Sequence, residues 1–332
     1  MQMIHIKKEK GTPKYKQIIA SIENAILSGT LKKGDQLPSL NSIRDTNELS
    51  RDTVLTAFNE LKSRGIIESI VGKGYYILSD DIHVHLKIFL LFDEFNSFKE
   101  DLYNAFIHEL DKNVRVDIYF HHFNEDMFSK LISENKGSYN YYVLMPANLK
   151  NTHNAINELP NDKVYILDQT HPELSNYSSI YQNFEKDLIL NLTKALSLIK
   201  KYSKIILLFD EKKQPEGMLI GFHKFCKTNK IENEVIHSLK NSILDKNSVY
   251  IIPDDKNLLR FIKKVKEESL ILSKNVGLIS YNETLLKEIV AGGITTISTD
   301  FSAMGKQLAQ MILNKKHLKI ENTHNLIIRN SL

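Results

Sequence analysis

The sequence predicts an α/β protein with a small N-terminal domain and a larger C-terminal domain. Up to about residue 76, apolar residues at helical spacing are followed by one β-hairpin pattern. From residue 87 onward, apolar segments of strand length alternate with amphipathic helical segments, which predicts parallel sheets joined by crossover helices. We place the first domain at 1–78, a polar linker at 79–86 and the second domain at 87–332.

Composition and charge point to a protein of the cytoplasm with a polyanionic partner. The 332 residues are 42% hydrophobic and 25% charged, as in ordinary globular proteins. Cys226 is the single cysteine, and the chain begins without a signal-peptide pattern, so we expect a reducing, cytoplasmic location. No apolar run is long enough to span a membrane, so no membrane partner is expected. Residues 1–79 hold 12 Lys and Arg against 8 Asp and Glu, which accounts for the whole net charge of +4.

Three short helices are predicted in the first domain. Thr12-Pro13 starts the first helix, because a capping hydroxyl precedes a proline, and Gly29 ends it. The second helix starts at Ser39. The third starts at Ser50, a favourable N-cap, and ends at Gly65.

A β-hairpin with a basic tip follows the third helix. Residues 66–71 and 75–77 are the predicted strands, and they flank Gly72-Lys73-Gly74. Three helices followed by such a hairpin are typical of a winged helix-turn-helix, a fold that binds DNA.

The N-terminal residues of the third helix are predicted to contact the DNA bases, because recognition helices present these residues to the base edges. Arg51 can pair with guanine through two hydrogen bonds, and Ser50 and Thr53 can hold phosphates or bases. Lys73, on the wing, can reach the minor groove or the DNA backbone. The predicted DNA-contacting residues are Ser39, Asn41, Ser50, Arg51, Thr53, Lys73 and Gly74.

About 65 contiguous residues closely resemble the GntR-type DNA-binding domain. The residues that carry the resemblance are Tyr15, Ile22, Gly29, Gly34-Asp35, Leu37-Pro38-Ser39, Ser50-Arg51-x-Thr53-Val54, Leu61-x-x-x-Gly65-Ile66 and Gly72-x-Gly74. In that family an arginine commonly contacts DNA at the position of Asn41, and another is frequent at that of Leu55. The resemblance therefore implies that base readout depends more on Arg51 and the wing, or that the operator differs. A winged helix that binds protein instead of DNA is the alternative.

The second domain lacks the common catalytic signatures. It contains no phosphate loop, no G-x-S-x-G elbow and no G-x-G-x-x-G after a strand, and it is too short for an aminotransferase-like domain. Cys226 lies in a helical segment, where a small buried hydrophobe is expected. The pairs His83-x-His85 and His121-His122 lack clustered Cys or carboxylate partners. We therefore expect no enzyme activity, no cofactor and no metal site. The predicted strands are 87–93, 114–120, 139–146, 164–169, 204–210, 248–254 and 275–282.

The end of the chain resembles LacI/GalR-type effector domains. The markers are the Gly-Ile-Thr-Thr-Ile run at 293–297 and Met304-Gly305-x-x-x-Ala309, with looser matches over about 87–332. The resemblance, which extends to regulators of the arabinose-repressor type, implies two Rossmann-like lobes resembling periplasmic binding proteins, with a ligand cleft between them. Lobe one is expected at about 87–180 and 294–318, and lobe two at about 181–293 and 319–332.

Polar and aromatic residues near the carboxyl ends of the strands are the ligand candidates, because clefts of open α/β sheets form there. Sugar-binding members usually have an arginine where Met218 stands and an aspartate where Asn282 stands, so the resemblance implies a neutral ligand such as a deoxy sugar. Each polar candidate could instead cap a loop, and each aromatic one could pack in the core. The candidates are Asn96, Phe98, Gln169, Gln182, Asn183, Met218, Tyr250, Asp254 and Asn282.

Together these patterns predict a homodimeric repressor of carbohydrate-utilisation genes. Its partners are double-stranded operator DNA and a small effector, a monosaccharide or derivative. Because the linker lacks the hinge-helix pattern of the LacI/GalR family, we expect coupling through the geometry of the dimer. The alternatives are a regulator of a non-sugar metabolite, an α/β enzyme carrying a DNA-binding head, and a second domain that only dimerises.

Overall fold

The computed structural model describes residues 4, 6, 13–82, 86–239 and 243–332. The predictions made for Thr12, His83 and His85 lie outside these residues. The chain divides into two compact units. The first comprises Met1–Phe92, Leu110–Leu144 and Asn151–Tyr165; the second comprises Asp93–Glu109, Met145–Lys150 and Ile166–Leu332.

The predicted winged helix-turn-helix is confirmed in the first unit. Its elements in chain order are α1 (Lys14–Leu27), α2 (Leu40–Asn47), α3 (Arg51–Ser63), β1 (Ile67–Ile70) and β2 (Gly74–Ile77). The two strands are antiparallel, with Ile67 opposite Ile77. One apolar core joins the three helices to the hairpin, and its fully buried members include Ile18, Ile22, Val54, Ala57, Phe58, Leu61 and Ile66.

The rest of the described chain alternates between strands and helices. The helices are α4 (Ser97–His108), α5 (Glu125–Asn135), α6 (Thr152–Ile156), α7 (Phe184–Lys194), α8 (Leu196–Ile199), α9 (Glu216–Asn229), α10 (Asp255–Glu267), α11 (Leu285–Ile289) and α12 (Phe301–Leu313). The strands are β3 (Leu86–Phe92), β4 (Val114–Phe120), β5 (Tyr141–Leu144), β6 (Val164–Asp168), β7 (Ser178–Tyr181), β8 (Lys204–Leu208), β9 (Glu232–Ile236), β10 (Ser248–Ile252), β11 (Val276–Tyr281), β12 (Thr295–Thr299), β13 (Lys319–Glu321) and β14 (His324–Ile327).

Two six-stranded sheets are formed by these described strands. Their orders are β13-β7-β6-β5-β3-β4 and β14-β12-β11-β10-β8-β9. The expected parallel pairing is found between β3 and both β4 and β5, and throughout β12-β11-β10-β8-β9. At the edge of the second sheet β14 instead runs antiparallel to β12. The mixed α/β prediction is therefore confirmed, with one antiparallel edge added.

Five of the described strands, β7, β9, β12, β13 and β14, were not among the predicted ones. They are short, and they lack the apolar runs from which the other strands were predicted. β9 is an exposed edge strand with two glutamates, and β12 is a buried strand of Thr, Ile and Ser. The lobe boundaries predicted near the end of the chain are wrong for two strands. β12 pairs with β11 in the second sheet, and β13 pairs with β7 in the first, which is the reverse of their expected assignment. The chain leaves the second sheet after β12 through the segment that contains α12, and it returns between β13 and β14 within two residues, Asn322 and Thr323. The sequence resemblance did not locate either crossing.

Gly305 explains one marker of the resemblance physically. A Cβ atom at this position of α12 would collide with the carbonyl oxygen of Leu102 and lie 2.9 Å from the backbone nitrogen of Phe106, both on α4. Only glycine therefore permits α12 and α4 to pack this closely.

Candidate DNA-binding surface and effector site

The start of α3 is held by a hydroxyl cap. Ser50 has an extended backbone, and its Oγ accepts a hydrogen bond from the backbone N–H of Thr53 at 3.2 Å. The Oγ1 of Thr53 lies 2.7 Å from the same oxygen. Arg51, the first helical residue, is exposed beside this cap. The structure thus places three predicted DNA-contacting residues together at the positive end of one helix.

The preceding helix, α2, carries a basic residue that the sequence prediction omitted. Ser39 caps this helix by accepting the N–H of Ser42 at 3.1 Å, and Asn41 is exposed in its first turn. Arg44 lies three residues after Asn41, and therefore on the same side of the helix. Its Nε donates to Asp45 at 2.7 Å on the surface. An arginine is thus present one turn away from the position where the GntR pattern commonly has one.

The wing tip is a tight turn tied to the body of the domain. Gly72 and Gly74 have φ angles of 75° and 105°, which side chains other than glycine rarely adopt. The Lys73 carbonyl oxygen accepts a hydrogen bond from Gln36 Nε2 at 2.7 Å. Val71 is 98% exposed beside the exposed Lys73. Hydrogen bonding therefore fixes the wing backbone while leaving the side chains of its tip open.

Three of the predicted ligand residues cap helices. Asn96 Oδ1 accepts the N–H of Lys99 at 3.2 Å, and Asn183 Oδ1 accepts that of Lys186 at 3.3 Å. Asp254 Oδ1 accepts the N–H of Asn257 at 2.9 Å. The capping alternative accounts for these three side chains, and contact with a ligand stays a prediction for them.

The apolar and aromatic candidates pack against other residues. Met218, 2% exposed, belongs to the apolar core around the second sheet. Tyr250 is buried against Phe261 with ring centroids 4.8 Å apart; its hydroxyl accepts the N–H of Asp245 at 2.7 Å, and burial raises its pKa to about 12. Phe98 is half-buried against Phe301 at 4.8 Å. Core packing accounts for Met218 and Tyr250, so neither needs a ligand to explain it.

A buried cluster of charges lies among the predicted polar candidates within the second unit. Lys99 Nζ and Asp93 Oδ1 form an ion pair, and Gln182 Nε2 donates to Asp168 Oδ1. Burial lowers the pKa of Lys99 to about 8, while the nearby charge of Asp168 acts in the opposite direction. Burial also raises the pKa of Asp168, opposed by Lys99 and by the Gln182 hydrogen bond. The four side chains, which come from different elements, therefore form one interacting group.

Asp168 has an unusual backbone in this cluster. Its φ is 71°, and the N–H of Gln169 closes a three-residue turn onto the Leu167 carbonyl at 2.9 Å. Such a turn is strained for a residue with a side chain, and strained backbone tends to cluster at binding sites. The turn directs the chain back from the end of β6, beside Gln182, whose own N–H donates to the Asp168 carbonyl at 2.9 Å.

Two predicted residues carry buried acceptor oxygens that lack a hydrogen-bond partner among the described residues. These atoms are Gln182 Oε1 and Asn282 Oδ1. Asn282 follows β11 with a φ of 61°, and its carbonyl accepts Lys287 Nζ at 2.7 Å. Lys287 is 1% exposed, its ammonium lies 2.9 Å from Asp255 Oδ1, and burial lowers its pKa. The end of β11 is thus fixed by a buried lysine that the sequence prediction missed.

Asp93 and Asp168 could have been found from the sequence, because each stands at the carboxyl end of a predicted strand. Lys99 could not, because it lies on the amphipathic helix α4, where a lysine ordinarily faces solvent. Other loops meet nearby within the same unit: Lys213 Nζ donates to Glu94 at 2.7 Å, and Asn148 Nδ2 donates to the carbonyl of Gln214.

The described residues include no group of three or more His, Cys, Asp or Glu placed to hold a metal. His121 is fully buried with its ring 5.3 Å from that of Phe128. Cys226 is buried in α9 as predicted, and burial raises its pKa to about 12. A helix long and apolar enough to cross a membrane is not found in the described part of the chain.

Comparison with known proteins agrees with the geometry of the first domain. Residues 14–77 match the family model "Bacterial regulatory proteins, gntR family". The N-terminal domain is of the GntR type. This GntR-type domain is 40% identical over 75 residues to the HTH-type transcriptional repressor YtrA of Bacillus subtilis, a match covering 23% of this chain and 58% of YtrA. It is 37% identical over 70 residues to the arabinose metabolism transcriptional repressor of Geobacillus stearothermophilus, covering 21% and 19% of the two chains. The chain thus spans less than two thirds of these relatives.

Solved structures share the fold over a larger part of the chain. A LacI family transcriptional regulator from Enterococcus faecium with bound ribose matches with a TM-score of 0.60 and 17% identity, covering 74% of this chain and 98% of that one. The lac repressor dimer bound to operator matches with a TM-score of 0.58 and 15% identity, covering 74% and 93%. At these identities the likeness shows the fold alone: a two-lobed, parallel-sheet domain resembling LacI-type regulators, alongside the GntR-type helix-turn-helix.

Proposed function

We propose that the protein is a homodimeric transcriptional repressor whose affinity for operator DNA is controlled by a small neutral sugar. The GntR-type domain binds DNA, and the second domain binds the sugar. Sugar binding by the second domain is supported above all by the buried cluster of Asp93, Lys99, Asp168 and Gln182. In this cluster an acceptor oxygen of Gln182 has no hydrogen-bond partner among the described residues.

The surface of the first domain supports the DNA half of the proposal. Arg51 is exposed at the start of α3, where helix N–H groups attract phosphate and an arginine can read guanine. Lys73 is exposed at the tip of the hydrogen-bonded wing. The net charge of +4 lies in the first quarter of the chain, where a polyanion would bind.

The chemistry of the cluster supports a ligand rich in hydroxyl groups. Gln182 Oε1, a buried acceptor of this cluster, needs a hydrogen-bond donor, because an unmade buried hydrogen bond is costly. Asn282 Oδ1, at the end of β11, is a second buried acceptor of this kind outside the cluster. Among these four side chains the one ammonium, that of Lys99, is already paired with Asp93, so an anionic ligand would find no unpaired cation in the cluster. Neutral sugars supply many donors without adding charge. The ribose bound by the Enterococcus protein and the role named for the arabinose repressor belong to the same chemical class.

Control of DNA binding then requires the ligand to favour one arrangement of the dimer. We propose that sugar binding closes the cleft of each protomer, rotates the first lobes and changes the spacing of the two DNA-binding domains. A coupling free energy of about 1–3 kcal/mol would change operator affinity roughly 5- to 150-fold. Equal sugar affinity for free and DNA-bound protein would contradict this mechanism.

The first experiment is a gel shift on the DNA upstream of the protein's own gene and adjacent genes, with and without a panel of neutral sugars. Arg51→Ala is expected to weaken specific binding by about 1–3 kcal/mol, or roughly 5- to 150-fold. Arg260→Ala, which removes an exposed arginine of α10, is the matched control and should bind like the wild type.

Each outcome of that experiment decides part of the proposal. Salt-sensitive, sequence-specific binding that one sugar changes supports both halves. Specific binding that no sugar changes leaves the DNA half standing and removes sugar as the effector class. Absence of specific binding, with Arg51→Ala and Arg260→Ala alike, overturns the central proposal.

Calorimetric titration with the same sugars tests the ligand half directly. Asp168→Asn and Gln182→Leu should each weaken binding, because they alter the hydrogen-bonding atoms of the cluster. Asp111→Asn, at an exposed loop position, is the control and should bind normally. Equal affinities in all four proteins would place the sugar elsewhere.

The cluster also bears on the enzyme alternative, since a buried Lys–Asp group with shifted pKa values is what a catalyst needs. A structural ion pair produces the same shifts, and Lys99 is already neutralised by Asp93. Incubating the protein with the panel and following the sugars by NMR separates the two: a binding protein leaves every sugar unchanged, whereas a turned-over sugar would establish an enzyme.

A further inference from the structure

The C-terminal end of α3 contacts the second domain immediately before β5, within the first unit. Ser63, the last residue of α3, is 6% exposed, and its Oγ accepts a hydrogen bond from Asn140 Nδ2 at 3.0 Å. The same hydroxyl donates to the Glu60 carbonyl of α3 at 2.8 Å. The helix predicted to read DNA is thus joined at its far end to a residue 77 positions later in the chain.

The partner of Ser63 is itself firmly held. Asn140 precedes β5, its N–H donates to the Lys87 carbonyl at 2.8 Å, and its Oδ1 accepts the N–H of Lys87 at the same distance. Because the oxygen of the amide is committed to a backbone donor, its NH₂ group must face Ser63. Asn140 therefore acts as a bracket between the first sheet and α3.

Lys87 adds a second contact between the two domains. Its Cδ would lie 3.5 Å from a Cβ at Gly65, so the stem of the lysine packs along the turn that ends α3. Its ammonium lies 3.3 Å from Asp117 Oδ2 and 4.2 Å from the centre of the Tyr139 ring. Tyr139 in turn donates to Asp117 at 2.8 Å. The lysine is thus anchored on β4 while its stem supports the DNA-binding domain.

The chain leaving the DNA-binding domain is also fastened. Arg64, 6% exposed, donates through Nη2 to Glu23 of α1 at 2.6 Å and to the Ile82 carbonyl at 3.2 Å. A buried arginine therefore ties α1, the end of α3 and the first part of the linker together, so the described linker residues do not behave as a free tether.

From these contacts we infer that the DNA-binding domain and the strands β3, β4 and β5, all in the first unit, move as one body, with the Ser63–Asn140 hydrogen bond and the Lys87–Gly65 packing as the joint. The regulatory role of the joint rests on the proposed function: a sugar-driven rotation of these strands would carry α3 with it. The docking itself does not depend on DNA or sugar binding, so it can be tested separately.

Spin-label distance measurement on the full-length protein tests the joint. Labels are attached to Lys16→Cys on α1 and Lys130→Cys on α5, both exposed, while the native Cys226 is fully buried. Labelled protein is mixed with an excess of unlabelled protein so that nearly every dimer that contains a label contains only one labelled chain. The wild-type background should give one narrow distance distribution.

Two substitutions should broaden that distribution. Asn140→Ala removes the bracket, and Ser63→Ala removes the hydroxyl while keeping a residue that favours helix. Thr56→Ala is the matched control on the same helix: its hydroxyl also donates to a carbonyl of α3, that of Asp52 at 2.7 Å, but on the exposed surface. Thr56→Ala should leave the distribution narrow, and circular dichroism should show all variants folded.

The results separate the joint from the proposed function. A broad distribution in the wild-type background, or a narrow one that both Asn140→Ala and Ser63→Ala leave unchanged, overturns the inference. A narrow distribution that both substitutions broaden supports it even if the gel shift finds no specific DNA binding, in which case only the proposed function fails.

Discussion

Lys99 and Asp93 form an ion pair in which each side chain is only 5% exposed. Asp93 directly follows β3 and also accepts the N–H of Glu94 at 2.6 Å, so the pair ties the start of α4 to the end of the strand. Burial lowers the pKa of Lys99 to about 8. Charges buried this deeply depend on each other, because neither has enough contact with water to replace its partner.

Lys99→Met is therefore expected to destabilise the protein strongly. Removing one partner leaves the Asp93 carboxylate buried without compensation, which typically lowers the free energy of unfolding by about 3–5 kcal/mol. Urea unfolding measures this loss. Lys130→Met removes a 72% exposed lysine of a surface pair and should change stability by less than about 1 kcal/mol. Asp93→Asn combined with Lys99→Met should recover much of the loss. Equal stability of Lys99→Met and Lys130→Met would show that Asp93 does not depend on Lys99 for compensation of its charge.

Ser50 allows the helix cap and the DNA contact to be separated. Ser50→Ala should lower the stability of the GntR-type domain by about 1 kcal/mol, because the N–H of Thr53 loses its acceptor. Ser50→Asp keeps a capping oxygen but places a negative charge where DNA phosphate is expected. It should therefore unfold like the wild type and bind DNA more weakly, while Ser50→Asn keeps both properties. Thermal unfolding measures the stability, and gel shifts measure the affinity for DNA. If Ser50→Asp lost as much stability as Ser50→Ala, the cap and the DNA contact would not be separable at this residue.

A buried histidine should make stability depend on pH. His324 Nε2 lies 3.3 Å from Asp187 Oδ2, and burial lowers the pKa of His324 to about 4, with the charge of Glu321 acting in the opposite direction. Between pH about 4 and 6.5 the unfolded chain holds a proton that the folded one does not, so stability falls as pH falls through this range. The free energy of unfolding of the wild type minus that of His324→Asn should likewise fall as the pH is lowered from 6.5 to about 4. A difference independent of pH would remove this role.

Asp187 should have the opposite effect. Burial, with the charge of Glu321 adding to it, raises the pKa of Asp187 to about 6 from 3.8. Between pH 3.8 and about 6 the folded protein holds a proton that the unfolded chain has lost, so the free energy of unfolding contributed by Asp187 rises as pH falls. The stability of the wild type minus that of Asp187→Asn should therefore increase from pH 6 towards 3.8. Slopes of the same sign for the histidine and aspartate variants would refute this assignment.

Cys226 should be chemically silent in the folded protein. Its side chain is fully buried in α9 and burial raises the pKa of the thiol to about 12, so both access and thiolate are lacking at neutral pH. A thiol reagent should label almost none of the folded protein and one equivalent per chain in denaturant. Rapid native labelling would show that α9 opens readily.

The DNA-binding domain could be predicted from the amino-acid sequence because all of its signals are local. The apolar spacing of α1 and α3, the Ser50 cap and the paired glycines of the wing lie within 65 consecutive residues and act over one or two helical turns. For the same reason the long apolar strands were predicted, whereas polar or edge strands such as β9 and β12 were not.

The contacts made by the polar residues of the second domain could be assigned only from the folded structure. Asn96, Asn183 and Asp254 look alike in sequence whether they cap helices or bind ligand, and Met218 could not be placed in the core from its position in a motif. The sequence cannot show that Lys99 points inward, because the side chains that surround it come from separate elements: Asp93, six residues earlier, follows β3, and Asp168 lies at the end of β6. Side-chain pairing between distant segments, as between Ser63 and Asn140, depends on how strands and helices pack, and no local pattern encodes it.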